Sequence, residues 1–112
     1  MSDCILCRIA ANEVPATIAY RDDDVVAIED INPQAPSHLL VLPVAHHPTV
    51  GHLAGDPALA ARVLAVASDL GRERGGERGY RLVINTGADG GQTVGHVHVH
   101  VLSGRAMSWP PG

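Results

Sequence analysis

The sequence predicts an α+β fold, with a five-stranded antiparallel sheet, one long helix and one short helix. Five short segments have the composition of strands, and turns of only a few residues join most of them. One longer segment after residue 55 repeats its apolar residues at helical spacing. Because parallel strands need crossovers of a dozen or more residues, the short turns favour antiparallel pairing.

The N-terminal segments predict a short helix followed by a hairpin. Cys4–Ala11 has room for a short helix that ends before Pro15. Ala16–Arg21 and Val25–Glu29 are predicted as two short strands. The run Asp22-Asp23-Asp24 supplies the polar turn between them.

The middle of the chain predicts a loop, a buried strand and the long helix. Asp30–Ser37 contains two X-Pro pairs, which disfavour a helix, and is predicted as a loop. His38–Leu42 is almost continuously apolar, as is typical of a strand covered on both faces. Asp56 supplies an N-cap and Pro57 the first helical position. The apolar stripe of the helix consists of Leu59, Val63, Val66 and Leu70.

The C-terminal third predicts two strands on either side of a glycine-rich turn. Tyr80–Asn85 is the first strand, Gly87–Gly91 is the turn, and Gly95–Leu102 is the last strand. In the last strand, β-branched valines alternate with His96, His98 and His100. Alternate side chains share one face of a strand and lie about 6.5–7 Å apart. Three same-face imidazoles, which can attack, accept protons or bind metal, therefore predict a functional site.

Length and composition indicate the class of protein. At 112 residues the chain is expected to form one domain, 1–112. A net charge of −4 and a pI near 5.9 provide no basic surface for nucleic acid or an anionic membrane. No apolar run approaches the roughly 20 residues of a membrane span, and Met1–Cys4 lacks the positive start of a secretory signal. We therefore expect a cytoplasmic protein without nucleic-acid or membrane partners.

The glycine-rich turn predicts an anion site next to the histidines. Gly87, Gly90 and Gly91 allow backbone N–H groups to converge on a phosphoryl group. Gln92 and Thr93 add side-chain donors that could stabilise charge on that group. A lone glycine-rich turn is more often a flexible hairpin, but the adjacent histidines favour a phosphate site here.

A metal site is a second hypothesis. Cys4 and Cys7 form a CxxC pair that could donate two thiolates to zinc, and imidazole is also a normal zinc ligand. Because there is no second CxxC, the signal is weak, and two packed thiols are the alternative. The spacing alone does not identify which histidines, if any, meet the cysteines.

Several motifs, in the same order, resemble the histidine triad (HIT) family. Gly91–Gly95 followed by His96–His100 is similar to the family signature, in which apolar residues separate three histidines. Asp30–His38 is similar to the nucleotide-binding loop of the family and the strand after it. The tail Met107–Gly112 resembles that of the Hint branch, the nucleoside phosphoramidases. The resemblance covers nearly the whole chain.

The resemblance implies an enzyme that hydrolyses purine nucleoside 5′-phosphoramidates built on an AMP or GMP moiety. His98 would be the nucleophile and would form a nucleotidyl-histidine intermediate that water hydrolyses. His100 would contact the phosphate and assist protonation of the leaving group. His96 and His38 would complete the cluster of imidazoles. No cofactor is expected for catalysis.

The resemblance also implies substrate contacts and a homodimer. Asp30 would accept the ribose hydroxyls. The phosphate would be held by Gly91, Gln92, Thr93 and Asn85. The apolar slot for the base would be lined by Ile5, Leu6, Ile9, Ile28 and Ile31. The sheets of two copies would join, and the tail, residues 104–112, would bring Trp109 near the neighbouring active site.

Family members with an N-terminal CxxC imply a structural zinc site in this chain. Its ligands would be Cys4, Cys7, His46 and His96. A closed shell of four ligands would pin the N-terminus and orient the histidine strand rather than catalyse. If His96 is not a ligand, it would instead support His98.

Three other functions stay open at this point. A metal-dependent hydrolase would hold a catalytic zinc with His96, His98 and His100. A nucleotide-binding regulatory module would act through partner proteins and keep only weak activity. A diadenosine polyphosphate hydrolase would use the same nucleophile on another substrate. The resemblance implies a shallow site that hardly recognises the leaving group, so the sequence does not name the physiological substrate.

Overall fold

The computed structural model describes residues 3–112 and has the predicted α+β fold. Its helices and strands are, in chain order, α1 (Ile5–Ala10), β1 (Ile18–Arg21), β2 (Val25–Glu29), β3 (Ser37–Pro43), α2 (Val50–Ala54), α3 (Pro57–Gly75), β4 (Arg81–Val83) and β5 (Val99–Ser103). A single turn of 3₁₀-helix, Gly76–Arg78, follows α3. The five strands form one antiparallel sheet in the order β1-β2-β3-β5-β4. The predicted fold class is confirmed.

Two apolar cores lie on opposite faces of this sheet, because alternate residues of each central strand point to opposite sides. The α3-face core includes Val25, Ala27, Leu39, Val41, Val99 and Val101 from the strands with Val63, Val66, Ala67 and Leu70 from α3. The α1-face core consists of Leu6, Ile9, Ala10, Val26, Ile28 and Leu42. Burial of each large aliphatic side chain stabilises the fold by about 1.5–3 kcal/mol.

Side-chain caps define the two helices that follow β3. Asp56 Oδ1 accepts the backbone N–H of Leu59 at 3.2 Å, and Pro57 occupies the first turn of α3, as predicted. Thr49 Oγ1 accepts the backbone N–H of His52 at 3.3 Å and begins α2. The sequence pattern does not indicate α2, because five residues are too few to repeat an apolar stripe.

The last strand begins later than the alternating pattern predicts. β5 starts at Val99 rather than at residue 95, and its pairing with β3 runs from Ser37 opposite Ser103 to Val41 opposite Val99. Before that point, the backbone N–H of Val97 donates to the carbonyl of His47 at 2.7 Å, outside the sheet. Only the last of the three histidines therefore belongs to the hydrogen-bonded ladder.

Strands β1 and β4 form the edges of the sheet. The tail after β5 returns along β4, where Arg81 Nη2 donates to the carbonyl of Ser108 at 3.1 Å. Among the described residues, no helix combines the length and apolar character that a membrane crossing requires.

Candidate functional site

The three alternating histidines occupy two different environments. The rings of His98 and His100 lie together on the α1 face, 5.0 Å apart between centroids. His96 is fully buried and its ring faces the N-terminal cysteines instead. The intervening valines are buried on the α3 side, as the alternation predicts. The alternating histidines therefore contribute to two adjacent sites rather than to one.

One hydrogen bond determines which nitrogen of His98 is available to attack. Nδ1 of His98 lies 2.8 Å from the backbone carbonyl oxygen of His96. Because a carbonyl can only accept, Nδ1 carries the hydrogen and donates it. A neutral His98 then keeps its lone pair on Nε2, and none of residues 3–112 forms a hydrogen bond with that nitrogen. The ring is therefore held with the lone pair on Nε2, the nitrogen that an attacking imidazole would use.

A chain of hydrogen bonds gives His100 the opposite tautomer. The backbone N–H of Gln34 donates to His38 Nδ1 at 3.0 Å, so a neutral His38 carries its hydrogen on Nε2. That Nε2–H donates to His100 Nδ1 at 2.9 Å. A neutral His100 therefore carries its hydrogen on Nε2. His98 offers a lone pair, and the neighbouring His100 offers a hydrogen.

Burial keeps both members of the His38–His100 pair neutral. Desolvation, reinforced by the neighbouring imidazoles of His98 and His38, lowers the pKa of His100 to about 4. Desolvation also lowers the pKa of His38, and the carboxylate of Asp30 opposes this effect. The neutral forms are those that the hydrogen-bond chain requires.

Asp30 lies beside this pair at the end of β2. Its Oδ2 is 3.4 Å from His38 Nε2, and its Oδ1 accepts the backbone N–H of Asn32 at 2.8 Å. One oxygen therefore closes the turn while the other faces the imidazoles. Donor atoms of Asp30, His38 and His100 lie within 4.8 Å of one another. Because Gln34 fixes the hydrogen of a neutral His38 on Nε2, we assign these atoms to hydrogen bonding rather than to a metal.

Four side chains from three parts of the chain meet at the N-terminus of α1. Cys4 is the N-cap residue, Cys7 lies in the first turn, His46 follows β3 and His96 precedes β5. One donor atom from each lies within 4.8 Å of the other three. His96 Nδ1 is 3.4 Å from each sulfur and 3.2 Å from His46 Nδ1. Two sulfurs and two imidazoles are the donor set of a structural zinc site.

The tautomer of His96 fits a metal ligand. Its Nε2 lies 2.9 Å from the carbonyl oxygen of Pro43 and donates there, so the lone pair is on Nδ1, the atom that faces the sulfurs. Desolvation lowers the pKa of His96 and favours the neutral form that metals bind. Because this ring is turned toward the cysteines, the geometry does not support a catalytic zinc shared by His96, His98 and His100.

The residues predicted to line a base slot fall into two groups. Leu6, Ile9 and Ile28 are at most 9% exposed and form part of the α1-face core. Ile5 is 41% exposed, and the Ile31 side chain is fully exposed. Of these five residues, only Ile5 and Ile31 offer substantial surface to a ligand. The packing of α1 on the sheet buries the side chains of Leu6, Ile9 and Ile28.

Gln92 fastens the glycine-rich turn to the loop after β3. Its Nε2 donates to the carbonyls of Pro48 at 2.6 Å and Val94 at 3.0 Å. Its Oε1 accepts the backbone N–H of Gly87 at 3.3 Å. Both amide hydrogens are engaged within the protein, which corrects the expectation that they are available to a phosphate.

The other predicted phosphate contacts surround Gly91. This residue has a φ of +85°, a conformation that glycine adopts without strain. The side chain of Asn85 lies beside it, and Thr93 is exposed. That Asn85, Gly91 and Thr93 contact a phosphate stays a prediction.

Trp109 is 83% exposed in the tail. Together with Pro111 it borders a hollow of about 470 Å³ along β4 that also includes Val83 and Asn85. That Trp109 reaches the active site of a second copy stays a prediction.

Three backbone groups organise the site without any signal in the sequence. They are the N–H of Gln34 and the carbonyls of Pro43 and His96. Every residue except proline carries the same backbone donor and acceptor, so residue type does not identify those that orient imidazoles. For Gln34 alone, the neighbouring Pro33 and Pro36 indicate that the backbone leaves regular structure.

Comparisons with known proteins match a family model and several similar proteins to this chain. The HIT domain family matches residues 11–107. The chain is 42% identical to a 14 kDa zinc-binding protein of Zea mays, over 99% of this chain and 89% of the relative. It superposes on a HIT family hydrolase from Legionella pneumophila Philadelphia 1 with a TM-score of 0.94 and 46% identity, over 98% and 100% of the two chains. A histidine triad nucleotide-binding protein from Candida albicans gives a TM-score of 0.79 and 25% identity, over 98% and 85%.

The low pKa of His100 predicts a loss of stability in acid. Its pKa is about 4 in the folded protein and 6.5 ordinarily, so between these pH values the unfolded chain binds more protons. The free energy of unfolding should therefore fall as the pH drops through this range. His100→Asn should reduce that fall by about 1–2 kcal/mol, since one pKa unit corresponds to about 1.4 kcal/mol and the ring is partly exposed.

Urea unfolding of both proteins at pH 7 and pH 4.5 measures this difference. Both proteins retain the cysteine–histidine cluster, so the loss of metal ligation in acid affects them alike. An equal loss of stability in the two would contradict the burial of a neutral His100.

Proposed function

The chain belongs to the HIT domain family, and we propose that it hydrolyses purine nucleoside 5′-phosphoramidates through a nucleotidyl-histidine intermediate on His98. The observation that carries the proposal is the bond from His98 Nδ1–H to the carbonyl of His96, which leaves Nε2 with the lone pair. The similar Legionella protein is called a hydrolase, and the Candida protein is called nucleotide-binding. Both descriptions suit a nucleophilic imidazole beside a hydrogen donor.

The proposed reaction has two steps. In the first, Nε2 of His98 bonds to the α-phosphorus while the P–N bond breaks, and the departing nitrogen gains a proton. His100 supplies it in its protonated form, because the negative charge of a bound phosphate favours that form and opposes the lowering of its pKa by burial. In that form His100 Nδ1 no longer accepts, and the Nε2–H of His38 would turn to Asp30 Oδ2, 3.4 Å away. In the second step, water attacks phosphorus, His98 departs and His100 accepts the proton of the water. The products are a nucleoside monophosphate and an amine.

We assign the remaining residues by their places around these rings. His38 positions His100 through the 2.9 Å hydrogen bond, and Asp30 is the proposed ribose contact at the end of β2. Thr93 and Asn85, together with the backbone near Gly91, are the proposed phosphate contacts. Gln92 positions this loop through its hydrogen bonds to Pro48 and Val94, so its effect on a bound phosphate would be indirect.

We further propose that Cys4, Cys7, His46 and His96 hold a structural zinc. The four donor atoms and the tautomer of His96 support it, and the similar Zea mays protein is described as zinc-binding. When bound, zinc would neutralise the thiolates and cross-link α1, the loop after β3 and the segment before β5. No open position is needed, since the metal has no part in either chemical step.

A homodimer is the proposed assembly. β4 is an edge strand, and edge strands present unpaired backbone groups that favour pairing with a second copy. Apolar side chains lie exposed or partly exposed near this edge: Val50 and Leu64 at 37% and 48%, with Ile84 in the same hollow of about 170 Å³. A two-fold axis would cover these apolar groups on both copies at once.

The first prediction concerns the nucleophile. His98→Ala should lower kcat/KM for AMP-morpholidate by about 1,000-fold or more, because the covalent route is lost, while nucleotide binding survives. Acid quenching of the native enzyme with labelled substrate should trap a nucleotide on His98. His52→Ala, an exposed histidine on α2, is the matched control and should keep native activity. Substantial turnover by a folded His98→Ala protein would contradict the mechanism.

The second prediction concerns zinc. Elemental analysis of protein purified without chelator should find about one zinc per chain. His46→Ala should lose this zinc and lower Tm by at least about 5 °C, whereas His47→Ala should retain it, because only His46 belongs to the ligand group. Serine substitutions at Cys4 and Cys7 should likewise affect Tm more than activity. Zinc-free protein, or equal zinc loss in both histidine variants, would contradict the assignment.

The third prediction concerns assembly. Sedimentation equilibrium at micromolar concentration should give twice the 11.7 kDa mass of one chain. Leu64→Asp should shift the protein toward monomer, because it places a charge in the proposed apolar interface. Ile18→Asp is the control, since Ile18 is 39% exposed on the opposite edge strand. A monomeric native protein, or dissociation by the Ile18 variant alone, would contradict the proposed interface.

A further inference from the structure

The loop between β2 and β3, residues 30–36, carries two groups that contact the His38 ring. The carboxylate of Asp30 lies 3.4 Å from His38 Nε2. The backbone N–H of Gln34 donates to His38 Nδ1 at 3.0 Å. The position of this loop therefore determines where both groups meet the imidazole.

Arg74 joins the two ends of the loop. It lies in the last turn of α3, and its Nη2 donates to Glu29 Oε2 at 2.9 Å, at the end of β2. Its Nη1 donates to Ser37 Oγ at 3.3 Å, at the start of β3. One planar guanidinium thus connects the residue before the loop with the residue after it. Because its donors form a rigid fork, it also fixes the separation of the two ends.

Arg74 reaches the loop from the face of the sheet opposite the candidate site. Glu29 lies opposite Leu39 in the ladder, and Ser37 is two residues from Leu39 along β3, so all three side chains point to the α3 face. His38, between Ser37 and Leu39, points to the other face. The sheet therefore separates Arg74 from a substrate at the histidines, and any effect of Arg74 on the reaction has to pass through the loop.

The turn after β5 holds the tip of the same loop. Arg105 Nε donates to the carbonyl of Gln34 at 3.0 Å, so the residue whose N–H orients the imidazole is also bonded through its carbonyl. Gly104 has a φ of +96°, and a Cβ at this position would lie 2.8 Å from Pro36 Cβ. Among the described residues, the side-chain hydrogen bonds that reach residues 29–37 from outside β2, the loop and β3 come from the two arginines.

We propose that Arg74 and Arg105 are positioning residues for the proposed reaction. By holding the loop they keep the N–H of Gln34 on His38 Nδ1, so the hydrogen of His38 stays on Nε2. There it is donated to a neutral His100, or to the loop carboxylate once His100 is protonated. The inference rests on the proposed function, because it assigns His100 to proton transfer. Neither arginine is assigned a contact with substrate.

The first measurement compares Arg74→Gln with a matched variant on the same helix. Arg74→Gln should lower kcat for AMP-morpholidate by about 10-fold, since a displacement of about 1 Å at the reacting groups can cost about 100-fold. Glu29→Gln should give a similar loss, and the double variant should lose little more, because both changes break one ion pair. Arg74→Lys should retain part of the activity. Arg72→Gln, which loses an exposed ion pair with Asp69, should keep the native kcat.

The second measurement follows the loop without substrate. Amide hydrogen exchange reports the local opening of backbone hydrogen bonds. The N–H of Gln34 should exchange about 5-fold faster in Arg74→Gln and in Arg105→Gln, because a partly exposed ion pair or hydrogen bond stabilises by about this factor. ¹⁵N NMR of the rings should show a larger share of His38 with its hydrogen on Nδ1. Arg72→Gln should match the native protein in both readouts.

Native kcat together with native Gln34 exchange in Arg74→Gln would overturn the proposal. A lower kcat with native exchange would overturn it too, because the effect would not pass through the loop. Faster exchange with native kcat would also overturn it, since the loop would then not position the reacting rings. Equal effects in Arg72→Gln would overturn it as well, because they would reflect overall charge.

Failure of the proposed function gives a different result. If the native protein hydrolyses no phosphoramidate, the proposed function fails, and the exchange and ring spectra still decide what the arginines do. Faster Gln34 exchange with a changed His38 tautomer would support their positioning of His38. Native values of both in Arg74→Gln and Arg105→Gln would overturn it.

Discussion

The residue on which the rest of the site depends is His96, because three of its atoms hold three different parts of the molecule. Its Nε2–H is fixed by the carbonyl of Pro43 at the end of β3, and its Nδ1 faces the two cysteine sulfurs. Its backbone carbonyl accepts the Nδ1–H of His98. The proposed metal site and the proposed nucleophile thus share one residue. Whatever fixes the backbone of His96 also fixes the ring that would attack phosphorus.

Hydrogen bonds to the backbone also explain how three identical residues acquire three roles. A repeated His-x-His-x-His pattern sets the spacing only, and neutral imidazole has two tautomers of similar energy. Obligate backbone partners then select among them: an acceptor for His98, and a donor at Gln34 that reaches His100 through His38. One ring then presents a lone pair and the adjacent ring presents a hydrogen. Transfer of a nucleotidyl group in two steps requires both. Burial keeps the His38–His100 pair neutral until an anion arrives.

Much of the fold and part of the candidate site could be predicted from the sequence, for physical reasons. Alternation of valine and histidine fixed which side chains face the core, and Asp56-Pro57 fixed the start of α3. The start of β5 could not be predicted, because the bond from Val97 to His47 depends on a contact 50 residues away. The engagement of Gln92 with Pro48 and Val94 is equally non-local.

The central claim is that backbone hydrogen bonds leave a lone pair on Nε2 of His98 and a hydrogen on Nε2 of His100. The most direct test is a long-range ¹⁵N–¹H NMR spectrum of the histidine rings in zinc-loaded protein at pH 7, with single substitutions to assign the signals. We expect a pyrrole-type Nδ1 and a pyridine-type Nε2 for His98, and the reverse for His100. A hydrogen on Nε2 of His98 would contradict the proposed mechanism, because that nitrogen would have no lone pair with which to attack phosphorus.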